Sequence, residues 1–133
     1  MNDCEEYIYS IVRKAVLDAY PSASVAGEYL QTPAKFPHVS LWVHDSTPKY
    51  GAQTNSTTED VTTLAFTVNV YSNLRTGKKS QVKAIMQLID AEMYKLNCRR
   101  TSYLPVPNML DTTIYRLTAT YCVDFDGVNL YRS

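Results

Sequence analysis

From residue 62 to residue 71 the chain alternates. Leu64, Phe66, Val68 and Val70 fall on one side of an extended backbone, and Thr63, Ala65, Thr67, Asn69 and Tyr71 on the other. A period of two predicts a half-buried strand. The same period returns at the end of the chain, in residues 112–126. There Tyr115, Leu117, Ala119, Tyr121, Val123 and Phe125 share one face, opposite Arg116, Thr118, Thr120, Cys122 and Asp124. It is present again in residues 38–44, where Val39, Leu41 and Val43 oppose His38, Ser40, Trp42 and His44. Between these runs the period changes to that of a helix. Ile8, Ile11, Val12, Ala15 and Ala19 recur at helical spacing in residues 5–20, as do Val82, Ile85, Met86, Ile89, Met93 and Leu96 further on.

End signals agree with these elements. Asp3 is placed to cap the first helix, Glu5 and Glu6 suit its positive end, and Tyr20-Pro21 stops it. The second helix is expected to begin between Thr76 and Ser80 and to end near Asn97. Shorter strands are expected at 24–30 and 99–106, the latter followed by a turn at Pro105 to Asn108. Residues 45–60 are rich in Ser, Thr, Gly, Pro and Asn without an apolar period, which predicts a long exposed loop. Two helices and four or five strands define an α+β fold, a two-layer sandwich with both helices on one face of a mainly antiparallel sheet. The second sheet face then meets water or a neighbouring subunit.

At 133 residues the chain is the size of a single domain, with neither a linker nor an internal repeat. Its formal net charge is zero, so it has no general attraction to nucleic acid or anionic membrane. No apolar run approaches the ~20 residues that span a bilayer. The acidic start, Asp3, Glu5 and Glu6, is unlike a secretory signal and predicts a cytoplasmic start. Three cysteines, Cys4, Cys98 and Cys122, are too few and too scattered for a disulfide framework. Tyrosine is abundant, eleven residues against three Phe and one Trp, which suits strands and interfaces.

Candidate chemistry is sparse. Gly77-Lys78-Lys79-Ser80 opens a helix after a strand, as a phosphate loop does, but Ser72 stands where the earlier glycine is required. His38 and His44 lie roughly 20 Å apart on an extended strand and have no ligand pair at metal spacing. Asp124 and Asp126 sit two apart at a strand end, and the Gly127 that follows makes turn capping the expected role. Asn55-Ser56-Thr57 matches the glycosylation pattern, without an export signal beside it. Lys78, Lys79, Lys83, Arg99 and Arg100 are the densest basic group, expected to form a solvated face or intersubunit ion pairs. The expectation is no catalytic residue, no cofactor and no metal.

Three segments together resemble the tail terminator, or tail completion, family of long-tailed bacteriophages. The first is the early helix followed by Phe36-Pro37 and the strand from His38 to Leu41. The second is the strand through Val68 to Ser72, running past Gly77 into the second helix with Lys83-Ala84-Ile85. The third is the closing strand from Tyr115 to Tyr121. They cover about two thirds of the chain by pattern.

The resemblance implies a structural virion protein, made in the host cytoplasm and placed in the neck. It would cap the tail tube as a ring, with six-fold symmetry expected. Its partners would be other copies of itself, the tail tube protein and the head-tail connector, with DNA crossing the lumen without sequence readout and no membrane partner. Tyr71, Thr118 and Thr120 on the second sheet face, with Lys49 and Tyr50 on the loop, are the expected contact residues. Competing readings are another neck protein, an adaptor or stopper, and a small cellular α+β binding domain or enzyme.

Overall fold

The computed structural model describes residues 4–28, 35–48, 61–106, 113–126 and 129–131. The chain forms α1 (Cys4–Ala19), β1 (Ser24–Ala26), β2 (His38–Pro48), β3 (Thr62–Ser72), α2 (Lys78–Lys95), β4 (Arg99–Pro105), β5 (Tyr115–Phe125) and β6 (Leu130–Tyr131). The strands lie in the order β1-β2-β3-β5-β4, with β6 also paired to β5. Among the described residues only β1 and β2 run parallel. The architecture is the expected α+β sandwich, with six strands instead of four or five.

The three long alternating runs become the three central strands. Val39, Val70 and Leu117 are in register across them, as are Leu41, Val68 and Ala119. These apolar rows pack against Ile8, Val12 and Val16 of α1 and Val82, Ile85, Met86, Ile89 and Met93 of α2. Ile85, Ile89, Leu64, Phe66, Leu117 and Tyr121 all lie in this core, as their spacing predicts. On α1 the buried stripe is Cys4, Ile8, Val12 and Val16, an i, i+4 row, while Ala19 is exposed in the last turn. The position on the helix decides and not side-chain size, since Ile11 beside this row is only half-buried.

Helix ends follow local chemistry. α1 stops before Tyr20-Pro21, with the Tyr20 N–H still bonded to Val16 O at 2.7 Å. α2 starts after Gly77, whose φ of 80° is left-handed and cheap only for glycine. It ends at Asn97, with φ 64°. There Asn97 N–H donates to Tyr94 O and Cys98 N–H to Met93 O, the paired bonds of a Schellman cap. The Asn97 side chain then donates to Leu130 O at 2.9 Å and ties down β6. The expected cap Asp3 lies outside the described residues.

The loop expected at 45–60 does not begin at Asp45. Asp45 to Pro48 continue β2 and pair with Ala65 to Thr62. A bulge at His44 resets the register, so composition without an apolar period still makes strand when a long partner strand is alongside. The remainder of that segment, 49–60, lies outside the described residues, and Lys49 and Tyr50 with it.

Candidate interaction surface

The sheet face away from the helices is a set of polar rows. His38, Tyr71 and Arg116 form one row, with Ser24 beside His38. Ser40, Asn69 and Thr118 form the next, and Trp42, Thr67, Thr120 and Ser102 the third. Further along, Thr63 pairs with Asp124. Side chains within rows bond to one another. Thr118 Oγ1 donates to Asn69 Oδ1 at 2.6 Å, Ser102 Oγ to Thr120 Oγ1 at 3.0 Å, and Thr63 Oγ1 to Asp124 Oδ1 at 2.8 Å.

Thr118 and Thr120 are half-buried on this face, as placed by their alternation. Tyr71 shares the face, but it is fully buried and is not a surface contact residue. Alternation fixes a side chain's face, whereas exposure depends on its row-mates. Tyr71 stands in register between His38 and Arg116, and its ring centroid is 5.7 Å from that of His38. Asn69 and Ser40 are buried with it. One end of the second face is therefore interior, and the half-buried row of Trp42, Thr67, Thr120 and Ser102 in its middle is more accessible.

His38 illustrates the interior end. Its Nδ1 lies 2.5 Å from Ser24 Oγ and its Nε2 3.0 Å from Ser40 Oγ. Neutral imidazole offers one donor and one acceptor, and each hydroxyl can take either role. Burial pushes the His38 pKa below its ordinary value. His44, on the bulge, instead meets Thr67 Oγ1 through Nδ1 at 2.6 Å. The two histidines thus have separate hydroxyl partners. Among the described residues no group of three or more His, Cys, Asp or Glu side chains converges on a metal position.

The other motifs resolve into local structure. Ser72 is buried and donates to Gln81 Oε1 at 2.6 Å, which links the strand end to the first turn of α2. Asp126 accepts from Asn129 N–H at 2.7 Å and from the Tyr131 hydroxyl at 3.1 Å, the turn-capping role expected of it. Asp124 is turned instead to Thr63.

Both outer strands are blunted, which the sequence pattern alone did not disclose. The Val106 N–H donates to Arg116 O, so by antiparallel alternation Tyr103 and Pro105 turn their backbone groups outward from β4. Pro105 has no N–H to offer, Thr101 is the extra residue at a register shift, and Arg99 and Arg100 flank it. Proline, bulges and charge are the means by which sheets resist adding a strand. At the far edge β1 has three residues, and Val25 O accepts from the Tyr9 hydroxyl at 3.1 Å. The signal available beforehand was Pro105 inside an otherwise strand-like run.

No family model and no curated protein matches the chain.

Proposed function

We propose that the chain is a structural virion protein that caps a phage tail tube as a ring and joins it to the head connector. The observation that carries the reading is the fate of the three segments that resemble the tail terminator family. They become α1 with β2, β3 with α2, and β5. Their strands β2, β3 and β5 lie side by side at the centre of the sheet. The likeness therefore falls on one contiguous body, both helices and the three central strands, and not on scattered pieces.

The surface chemistry is compatible with the role. A ring must close and then stop, which requires heterologous contacts between two different patches of one subunit. A sheet blunted at both edges disfavours open-ended strand addition. The partly exposed row of Trp42, Thr67, Thr120 and Ser102 is a polar face of the kind that meets another protein through hydrogen bonds. On this reading the partners are other copies in a six-fold ring, the tube protein and the connector, with DNA passing through the lumen. The protein works by shape and contact, without a catalytic step or cofactor.

The reading is tested by adding the purified protein to tail tubes polymerising in vitro. Growth should stop, with a ring at one tube end by electron microscopy. Continued growth at saturating protein overturns it.

A further inference from the structure

The zero net charge conceals an uneven distribution. At about 100° per residue, Lys79, Lys83, Gln87, Asp90 and Tyr94 fall within about 80° of arc on α2, beside the buried stripe. The direction of that arc is fixed by Asp90, which accepts from the Tyr121 hydroxyl and lies 3.6 Å from Arg100 of β4. Lys79, Lys83 and Tyr94 therefore line the flank above β4. Arg100 and Tyr103, in register with Tyr121 and Ala119, extend it, with Arg100 stacked 4.6 Å over the Tyr103 ring. Tyr94 is 66% exposed and Tyr103 38%. Lys79 and Lys83 are exposed. Asp90 is the one carboxylate on this flank among the described residues, and it already faces Arg100.

The opposite flank has the other sign. α1 packs over β2, and its Tyr9 reaches β1. There Glu6, Glu28 and Asp45 are exposed, and Glu5 is held by Val43 N–H at 2.6 Å. Among the described residues, Arg13 and Lys35 are the cations on that side besides Lys14, which pairs with Asp18 at 2.9 Å.

We propose that the basic, tyrosine-bearing flank of α2 and β4 docks the acidic flank of α1, β1 and the outer part of β2 in a second copy of this chain. The proposal rests on the ring reading and names the surfaces that would close the ring. Two features favour a second copy as occupant. The complementary charge is carried by the same chain, on the opposite side of the same sheet, which is the head-to-tail arrangement a closed ring uses. The intervening strand edge is guarded, so contact is made by side chains and not by backbone pairing. Exposed tyrosines beside arginine and lysine provide contact area with a polar tip.

The test is a charge swap read by light scattering and native mass. Lys79→Glu with Lys83→Glu, and separately Glu6→Lys with Glu28→Lys, should each weaken assembly by roughly tenfold or more. Mixing the two variants should restore it. Lys95→Glu, off the arc and paired with Glu92, should leave assembly unchanged. Wild-type rings that tolerate both reversals overturn the proposal while leaving the ring reading intact. A wild-type chain that stays monomeric, alone and with tail tubes, overturns both. Retention of a labelled single-stranded oligonucleotide that is lost in the Lys79/Lys83 variant, with assembly unaffected, assigns the flank to nucleic acid and overturns the proposal. Restoration on mixing separates a lost contact from a misfolded variant.

Discussion

The Tyr121 hydroxyl donates a 2.8 Å hydrogen bond to Asp90 Oδ1, joining the closing strand β5 to helix α2 at the margin of the core. Tyr121 is 1% exposed, and its phenol is held far above the ordinary tyrosine range, first by burial and then by the Asp90 carboxylate. Arg100 approaches the same carboxylate from β4. The three side chains lock helix, central strand and edge strand together.

Tyr121→Phe removes that bond while keeping the ring. The expected loss is about 1–2 kcal/mol by urea denaturation, because a charged acceptor is left with a poorer partner. The native protein should also retain at least one tyrosine that fails to ionise in an ultraviolet titration until the chain unfolds. A variant as stable as wild type would show that Asp90 is satisfied by solvent and Arg100.

Ile89 is fully buried between α2 and the sheet. Ile89→Ala should cost roughly 2–5 kcal/mol, from lost transfer free energy and the cavity left behind. A loss below about 0.5 kcal/mol, the size of a surface effect, would place α2 outside the core.

Stability should depend on pH through His38. Its folded pKa lies below the 6.5 of the free side chain, so between those values the unfolded chain binds the extra proton. Stability is then full above 6.5, falls as the pH drops through that value, and levels off below the folded pKa. Urea midpoints measured from pH 8 to pH 5 should fall on acidification, and His38→Gln should flatten that segment. An unchanged slope in the variant would move the effect to other groups.

Much of this fold was legible because its central strands are long and alternate cleanly. Leu64, Phe66, Val68 and Val70 need no partner information to define a face. The bounds of β2 were not legible, since Asp45 to Pro48 become strand only through pairing with β3. β6 is two residues long, and Asn97, remote in sequence, holds its Leu130 in place. On the candidate surface, Thr118 and Thr120 sit where alternation puts them. The burial of Tyr71 depends on its position between His38 and Arg116, three strands brought together by topology. The basic group around Lys79, Lys83 and Arg100 was legible as the densest in the chain, but its placement opposite Glu6, Glu28 and Asp45 was not. Lys83 and Arg100 are far apart in sequence and share a flank only once α2 lies over β4.

Pro105 is expected to act as a guard of the open edge. Pro105→Thr supplies the missing outward N–H on a strand that otherwise keeps its pairing. Concentration-dependent association should rise above wild type in analytical ultracentrifugation, with little change in far-ultraviolet circular dichroism. Unchanged association would leave the bulge at Thr101 and the adjacent arginines as sufficient protection.

The proposed tail-capping role is tested by electron microscopy of phage particles made without this protein. Tails of uncontrolled length, or finished tails that fail to join heads, are the expected result. Normal infectious particles with tails of uniform length would contradict the account.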